Sequence, residues 1–256
     1  MNSPKQIAEN YIPIAVGKAN TPPAKAFLLA ILAGMFIAAA GVGAAIGTAA
    51  VGKLAGACIF PAGLAMVILA GSELFTGNCM MVIGVAERQV TVKQLLLSWL
   101  IVYIGNFVGG ILVSALAVYG GTFAAYHESL IATAVAKTSL AFGEAFFRGI
   151  MCNILVCLGV WMAFAAKDAG GKVISLFFPI MVFVLCGYEH CIANMFYVPG
   201  GLFAAARYGI SADGLTWGAF FLKNLVPVTL GNIVGGAGLG MMFWAIHLRE
   251  KKTVSF

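Results

Sequence analysis

Charged residues are scarce in this sequence. Only 9% of its 256 residues are charged and 62% are hydrophobic, whereas a typical soluble domain carries about 25% charged residues. The mean hydropathy of +1.00 excludes an ordinary soluble globular protein. The net charge of +6 is not arranged as a soluble basic face with interleaved aromatic residues, and this excludes nucleic acid as a partner.

The sequence also lacks the residue spacing of a metal site or an ATP site. Cys152 and Cys157 do not form a Cys-x-x-Cys pair, and His127, His190 and His247 are scattered, so no zinc site is predicted. A haem protein or membrane enzyme would need paired ligands across helices, and only His190 lies deep enough in a span. No Gly-rich ATP-binding loop is present. We therefore expect no cofactor and no enzymatic activity.

Apolar runs of roughly 18 residues or more are long enough to cross a bilayer. The sequence has six such runs: 26–50, 57–86, 93–118, 142–166, 173–208 and 217–246. All six cysteines lie in these runs, where cysteine behaves as a small apolar residue. No Arg-rich segment with a small-residue cleavage site precedes the first run, so we expect a mature helix there and not a signal peptide. The sequence predicts an integral membrane protein.

The basic residues are distributed unequally between the two sides of the predicted bundle. With the amino terminus inside, the cytoplasmic side carries ten of them: Lys5, Lys18, Lys25, Arg88, Lys93, Lys167, Lys172, Arg249, Lys251 and Lys252. The outer loops carry Lys53 and Lys137, with Arg148, Arg207 and Lys223 near membrane edges. The positive-inside rule therefore predicts that both termini are cytoplasmic.

Two of the apolar runs are interrupted by the same short pattern. Residues 71–78 (GSELFTGN) and 187–194 (GYEHCIAN) share Gly-x-Glu-x-x-x-x-Asn at identical spacing. Freed backbone groups and charges are costly in a helix that faces lipid, so each interruption must line a cavity or a pathway. Paired breaks in two halves are typical of a transport site. We expect helix breaks at 71–80 and 187–196, near mid-membrane.

A second pattern indicates an internal repeat. The stretch that begins at Asn106 (NFVGG) recurs at Asn232 (NIVGG), and three spans per half place the two copies in opposite orientations. The predicted fold is all-α, with six transmembrane helices, two of them broken at mid-membrane, in an inverted 3+3 repeat within one domain. Its parts are a cytoplasmic segment 1–25, a first repeat 26–118, an outer loop 119–140, a second repeat 141–246 and a cytoplasmic tail 247–256.

Three motifs resemble those of the formate/nitrite transporter family. Residues 68–77 (ILAGSELFTG) are similar to its first signature, and 149–158 (GIMCNILVCL) to its second, with Gly159 where alanine is usual. Residues 187–195 resemble its central-histidine segment. The resemblance implies an aquaporin-like protomer, assembly as a pentamer, and a pore for a small monovalent anion in each protomer. Small-residue helix faces would permit such an assembly.

The resemblance also implies which residues line the pathway. Its central histidine is His190, the threonine of the first broken loop is Thr76, and the vestibule lysine, 16 residues before Asn153, is Lys137. The two apolar constrictions rest on spacing inside the spans: Phe60, Leu74 and Phe183 for the outer one, and Leu64, Phe75 and Val156 for the inner one.

The polar residues of the two breaks have alternative roles. A histidine in an apolar helix is commonly a hydrogen-bonded core residue, and His190 could pair with Glu189. Ionisable groups at membrane depth normally face a pathway, so we assign His190 to the pathway. Glu73 and Glu189 would repel an anion, and we assign them to structural support of the loops. Asn153 and Asn194 could orient His190 or line the pore, and the sequence does not separate these roles.

The predicted function is passive or proton-coupled transport of a small monovalent anion across the cytoplasmic membrane. A bare anion in an apolar passage loses its hydration, so positive charge or protonation must lower the barrier. Lys137 can concentrate anions by long-range attraction, and His190 can donate a hydrogen bond or a proton. We favour formate, with nitrite and hydrosulfide as alternatives. A neutral-solute channel of aquaporin type would show Asn-Pro-Ala loops, whereas Asn78 precedes Cys79 and Asn194 precedes Met195.

Overall fold

The computed structural model describes residues 1–249, which form helices joined by short turns and contain no strand. The predicted tail residues 250–256, with Lys251 and Lys252, lie outside the described part. The helices are α1 Pro4–Ala19, α2 Pro23–Ala50, α3 Lys53–Ile59, α4 Pro61–Ala70, α5 Phe75–Asn78, a 3₁₀ turn Cys79–Met81, α6 Val82–Ala86, α7 Val92–Tyr119, α8 His127–Thr138, α9 Phe142–Ala165, α10 Ala169–Cys186, α11 Cys191–Tyr208, α12 Trp217–Ala219, a π-helix Phe220–Leu225 and α13 Val226–His247.

Six helical stretches of the described chain are long and apolar enough to cross a membrane: Pro23–Ala50, Lys53–Ala70, Val92–Tyr119, Phe142–Ala165, Ala169–Cys186 and Trp217–His247. They start within about five residues of the predicted runs, and the prediction of an all-α membrane protein with six spans is confirmed. The 28 residues of α2 correspond to roughly 42 Å of helix, so this helix extends beyond a hydrocarbon core of about 30 Å.

Two further helices lie in segments for which no structure was predicted. Helix α1 occupies most of 1–25 and begins with a capping box, in which Ser3 and Gln6 satisfy each other's backbone N–H groups. Helix α8 lies within the predicted outer loop 119–140. The Ser-Pro-x-Gln start of α1 is a recognisable sequence signal for a helix. Both helices are too polar for a membrane run, and for this reason the hydropathy pattern misses them.

The two broken helices end at glycines in the left-handed conformation. Gly71 closes α4 and Gly187 closes α10, each with φ of 70°. A residue with a Cβ is destabilised by about 1–2 kcal/mol in this conformation, whereas glycine is not. The chain is non-helical only over 71–74 and 187–190 before α5 and α11 begin. The breaks are therefore shorter than the predicted 71–80 and 187–196.

Asn106 of α7 explains why the first break is short. Its Oδ1 accepts a hydrogen bond from the Phe75 N–H at 3.0 Å, and its Nδ2 donates to the Ala30 carbonyl at 2.7 Å and the Glu73 carbonyl at 2.9 Å. A free backbone group at this depth would be costly. Since one side chain satisfies two such groups of the break, the Phe75 N–H and the Glu73 carbonyl, helix can resume after four residues.

Asn232 of α13 does the same in the second half. Its Oδ1 accepts from the Cys191 N–H at 2.9 Å, and its Nδ2 donates to the Gly149 carbonyl at 2.8 Å and the Glu189 carbonyl at 2.9 Å. The equivalence of the two sets of bonds confirms the inverted repeat. It also gives a structural role to the Asn-x-Val-Gly-Gly pattern.

Glycines let the outer helices of each repeat approach closely. A Cβ on Gly109 of α7 would lie 2.1 Å from the Ile31 carbonyl oxygen of α2, and one on Gly235 of α13 would lie 2.3 Å from the Ile150 carbonyl oxygen of α9. Side chains at these positions would force the helix pairs apart. Close packing through small residues holds α2 against α7 and α9 against α13.

Helices α1 and α8 lie on opposite faces of the bundle. The Asn2 N–H bonds to the Ala165 carbonyl at the end of α9, and the Trp244 indole near the end of α13 donates to Glu87 after α6. We call this side, where α1 lies, the α1 face. Helix α8 follows the end of α7 and precedes α9 on the other side, which we call the α8 face.

Candidate transport pathway

Three cavities lie in line between the two faces. The α8 cavity has a volume of about 190 Å³ and is lined by residues that include Lys53, Lys137 and His190. The α1 cavity has a volume of about 480 Å³ and is lined by residues that include Lys18 and Glu73. Between them is a central chamber of about 10 Å³. A cavity needs about 10–15 Å³ to hold one water molecule, so the chamber is nearly closed.

The wall of the central chamber is apolar except for one side chain. Its lining residues are Ile37, Phe60, Leu64, Leu74, Val156, Ile180, Phe183 and His190. His190 also lines the α8 cavity, and it is 2% exposed. The histidine predicted for the pathway thus lies where the α8 cavity meets the chamber.

The His190 ring connects the two broken helices. Its Nδ1 accepts a hydrogen bond from the Ala193 N–H at 3.0 Å. A neutral imidazole that accepts at Nδ1 carries its proton on Nε2, and Nε2 lies 2.8 Å from Thr76 Oγ1. The Nε2–H therefore donates to the Thr76 oxygen. This arrangement leaves the Thr76 hydroxyl hydrogen available to a third group.

Asn153 supports Thr76 rather than His190. Its Nδ2 donates to the Thr76 carbonyl at 3.2 Å and to the Asn232 carbonyl at 2.6 Å, so it ties the first broken loop to α13. Cys157 Sγ, one turn along α9, lies 3.4 Å from the same Thr76 carbonyl. The sequence left open whether Asn153 orients His190 or lines the pore, and its contacts in the structure show neither role directly. Its contacts position the residue that binds His190.

Lys137 and Glu189 form an ion pair beside the α8 cavity. Lys137 Nζ lies 2.9 Å from Glu189 Oε1, and both side chains are largely buried. Asn194 Nδ2 donates to the other carboxylate oxygen of Glu189 at 2.7 Å. Glu189 thus pairs with lysine and not with His190, and Asn194 holds the carboxylate and does not orient the imidazole. Because the pair is neutral as a whole, Lys137 contributes little net charge to the cavity.

The α1 cavity carries the same arrangement. Lys18 Nζ lies 2.7 Å from Glu73 Oε2, and Asn78 Nδ2 donates to that oxygen at 2.7 Å. Each break of the inverted repeat therefore holds one Lys–Glu–Asn cluster. Sequence reasoning assigned Glu73 to loop support but missed Lys18 as its partner. A signal was present, because Lys18 precedes α2 by the same five residues that separate Lys137 from α9.

The second cluster has an extra member that the sequence did not reveal. Asn224 lies in the π-helix, fully buried. Its Oδ1 accepts from Asn194 at 2.8 Å, and its Nδ2 donates to the Lys137 carbonyl at 2.9 Å. π-Helical turns commonly occur at functional sites. Only the tertiary structure places this residue at the cluster, since its local sequence carries no sign of the role.

The apolar residues are not all where the spacing placed them. Phe60 and Phe183 pack edge to face with ring centroids 5.6 Å apart and separate the α8 cavity from the chamber. Leu64 and Leu74 line both the chamber and the α1 cavity, so Leu74 lies with Leu64 on the α1 side of the chamber and not with Phe60 and Phe183 on the α8 side. Val156 lines the chamber itself.

Phe75 lies away from the pathway. Its ring packs against Trp99 and Tyr103 of α7, with centroids 6.0 and 4.9 Å away, and lines a lateral groove between α7 and α13. The predicted place in an inner constriction is not the place of this ring in the structure. The Phe75 N–H also donates to Asn106 of α7, so the backbone and the ring of Phe75 both contact α7.

Tyr11 connects α1 to the first broken loop. Its hydroxyl donates to the Gly77 carbonyl over 3.4 Å beside the α1 cavity. Burial raises the pKa of the Tyr11 phenol well above its usual value, so the hydroxyl stays protonated and keeps its donor function. Among residues 1–249, no group of three or more His, Cys, Asp or Glu side chains could hold a metal ion.

A membrane-embedded helical bundle with two broken helices, and with cavities that meet at a buried histidine, belongs to the class of channels and transporters. The model of the family described as "Formate/nitrite transporter" matches residues 5–246. The chain belongs to this family, whose members transport small anions, and the prediction that it is not an enzyme is confirmed.

Relatives and solved structures agree with this assignment. The chain is 39% identical to a "Probable formate transporter" of Methanothermobacter thermautotrophicus over 97% of this chain and 98% of that one. It is 36% identical to "Formate channel FocA" of Escherichia coli (strain K12) over 92% and 90% of the two chains. A "Pentameric formate channel with formate bound" matches with a TM-score of 0.78 and 36% identity, over 89% of this chain and 98% of that one.

Proposed function

We propose that this chain conducts formate across the cytoplasmic membrane, passively or together with protons, through one pathway in each protomer. The observation that carries the proposal is the Thr76–His190 hydrogen bond at the edge of an otherwise apolar chamber. The relatives described above are a formate transporter and formate channels, which favours this anion over nitrite and hydrosulfide.

Thr76 and His190 can act on a small anion together. The His190 Nε2–H is directed at the Thr76 oxygen, and this polarises the hydroxyl and strengthens it as a donor. A formate oxygen that reaches the chamber can accept the Thr76 hydrogen in place of a lost water. A bare anion in an apolar passage would otherwise bear a large desolvation cost. The pair lowers that cost at the narrowest point of the pathway.

Passage requires movement of side chains around the chamber. At about 10 Å³, the chamber has room for at most one water molecule, and formate has three heavy atoms. The Phe60–Phe183 contact on one side and the Leu64–Leu74 wall on the other must open, together or in turn. The two Lys–Glu–Asn clusters fix the loops on either side while these side chains rotate.

We propose that the α1 face is cytoplasmic. The described basic residues of that face are Lys5, Lys18, Lys25, Arg88, Lys93, Lys167, Lys172 and Arg249, and the positive-inside rule then places both termini inside. The first repeat, 26–118, and the second, 141–246, remain the proposed parts of the single domain, with 1–25 and 247–256 cytoplasmic and 119–140 outside.

We also propose that five copies assemble. The support is the pentameric state of the solved formate channel and the many large apolar side chains that α7 and α13 leave exposed, among them Leu100, Leu112 and Leu230. Native mass spectrometry should give the mass of five protomers. A monomer or dimer at detergent concentrations that preserve transport would contradict this assembly.

Flux measurements on proteoliposomes test the function. We expect uptake of labelled formate, with nitrite and hydrosulfide as weaker competitors, and water and glycerol permeability no greater than in empty vesicles. His190→Phe, which keeps an aromatic ring and removes the donor, should lower formate flux about tenfold or more, as loss of a buried hydrogen bond of about 1–3 kcal/mol implies. Glycerol flux without anion flux would instead identify a neutral-solute channel.

A further inference from the structure

The α8 cavity contains two lysines, and their electrostatic situations differ. Lys137 is 2.9 Å from Glu189 and largely buried. Lys53, the first residue of α3, is exposed, and none of the described carboxylates lies within ion-pair distance of it. Since the Lys137–Glu189 pair is neutral, the net positive charge of the cavity comes from Lys53.

Lys53 also lies close to the second broken loop. Its Nζ is 3.7 Å from the position that a Cβ on Gly187 would take, and Gly187 lies three residues before His190. Both lysines and His190 line the same cavity. The ammonium group of Lys53 therefore lies beside the loop that leads to His190.

The α1 cavity also contains one paired lysine and one lysine outside any ion pair with a described carboxylate. Beside the Lys18–Glu73 pair it is lined by Lys172, which lies near the start of α10 as Lys53 does at the start of α3. No ion pair joins Lys172 to a carboxylate of residues 1–249. Each cavity thus combines one paired lysine with one exposed or half-buried lysine at the start of a half-helix.

We propose that Lys53 is the residue that draws the substrate anion into the α8 cavity, a role that the sequence resemblance gives to Lys137. The inference rests on the proposed function, since it needs an anion as substrate. An unpaired ammonium group attracts an anion through solvent and remains free to release it. A lysine held by a carboxylate cannot approach an anion without first breaking that pair.

The test compares charge at this position with charge elsewhere on the same face. Lys53→Gln and Lys53→Glu remove or reverse the charge, and Lys53→Arg keeps it. Lys223→Gln is the matched control, because Lys223 is exposed, near the same membrane edge, and does not line the cavity. Lys137 is unsuitable, because its removal would leave Glu189 buried without its cation.

Initial rates of labelled formate uptake are measured in proteoliposomes at about 0.01 M and about 1 M ionic strength, where the Debye lengths are about 30 Å and about 3 Å. At low ionic strength we expect uptake to fall about threefold in Lys53→Gln and further in Lys53→Glu, with Lys53→Arg and Lys223→Gln near wild type. The differences should nearly vanish at high ionic strength, as steering by a field requires.

A chemical rescue separates charge from shape. Lys53→Cys is treated with a membrane-impermeant cationic thiol reagent, which should restore uptake, or with an anionic one, which should lower it further; wild type treated in the same way controls for native cysteines. Equal uptake by Lys53→Gln and Lys223→Gln at low ionic strength would overturn the inference. Absence of formate uptake by wild type would instead overturn the proposed function.

Discussion

At the scale of single residues, the polar groups of the pathway lie at non-equivalent positions of the repeat. In the aligned breaks, His190 corresponds to Leu74, and Thr76 corresponds to Ile192. In both breaks the Asn side chain donates a hydrogen bond to the Glu carboxylate. The scaffold is therefore symmetric, whereas the hydrogen-bond donors for a substrate are not. A single Thr–His pair is the result, 2.8 Å apart across 114 residues of sequence.

Replacement of Thr76 tests this pair. Thr76→Val keeps the shape of the side chain but leaves the His190 Nε2–H without its acceptor and removes the donor for the anion. The lost hydrogen bond to a charged anion is worth about 1.5–3 kcal/mol, so formate flux should fall about tenfold or more. Thr76→Ser keeps the hydroxyl and should retain most of the flux. Proteoliposome uptake at equal protein density measures both, and equal loss in the two variants would contradict the role of the hydroxyl.

At the scale of elements, each break depends on one glycine and one asparagine. Gly71 and Gly187 end the first part of each broken helix in a conformation that disfavours other residues. Asn106 and Asn232 then satisfy the backbone groups that the break would leave free. The sequence reveals the two glycines by their pattern, but the asparagines lie more than thirty residues further along the chain.

The cost of the left-handed conformation at Gly71 can be measured by comparison with Gly17, where an added Cβ would have as much space. A Cβ would meet nothing within 4 Å at either Gly71 or Gly17, but only Gly71 has a positive φ. Gly71→Ala should lower the free energy of unfolding by about 1–2 kcal/mol, whereas Gly17→Ala in the helical α1 should raise it by about 0.5–1 kcal/mol. Denaturation in detergent measures both, and shifts of the same sign would refute the argument.

Asn232 should be among the least replaceable residues of the bundle. Asn232→Ala would leave the Cys191 N–H and the Glu189 carbonyl without partners and would remove the bond to the Gly149 carbonyl. At about 1–3 kcal/mol for each buried group, the protein should unfold at a markedly lower temperature or fail to accumulate. Asn20→Ala, at an exposed position, serves as the control. A melting temperature for Asn232→Ala within a degree of the control would show that the bonds contribute little.

At the scale of the whole molecule, the bundle has two faces with different charge. The α1 face carries most of the described basic residues, and the α8 face carries few. From this asymmetry we propose that the α1 cavity faces the cytoplasm. Helix α1 covers one cavity and α8 borders the other, so the two mouths of the pathway differ in shape although the helices around them are related by the repeat.

The orientation is open to a labelling experiment in intact cells. Glu128→Cys on α8 should react with a membrane-impermeant thiol reagent, and Lys5→Cys on α1 should react only after the cells are permeabilised, because the positive-inside rule places α1 in the cytoplasm. Both positions are exposed in the structure. Wild type measures background labelling of native cysteines. The reverse pattern would invert the proposed topology.

Much of the fold was predictable because its signals are local. Six apolar runs and two glycine-containing breaks are each visible in one continuous stretch of sequence, and the Asn-x-Val-Gly-Gly pattern is visible as a short stretch that occurs twice. Helices α1 and α8 were missed since their composition is mixed, although the capping box at Ser3 marked one of them. The candidate residues His190 and Thr76 do meet, and Asn153 donates to the Thr76 carbonyl.

By itself, the sequence determined the membrane class, the number of spans, the breaks and the identity of the buried histidine. Only the tertiary structure decided which charges are neutralised and which are free. Lys137 meets Glu189 across 52 residues and Lys18 meets Glu73 across 55, while Lys53 meets none of the described carboxylates. Side-chain partners at such separations depend on how helices pack, and a local pattern does not encode that packing. For the same reason, Phe75 faces α7 and not the pathway.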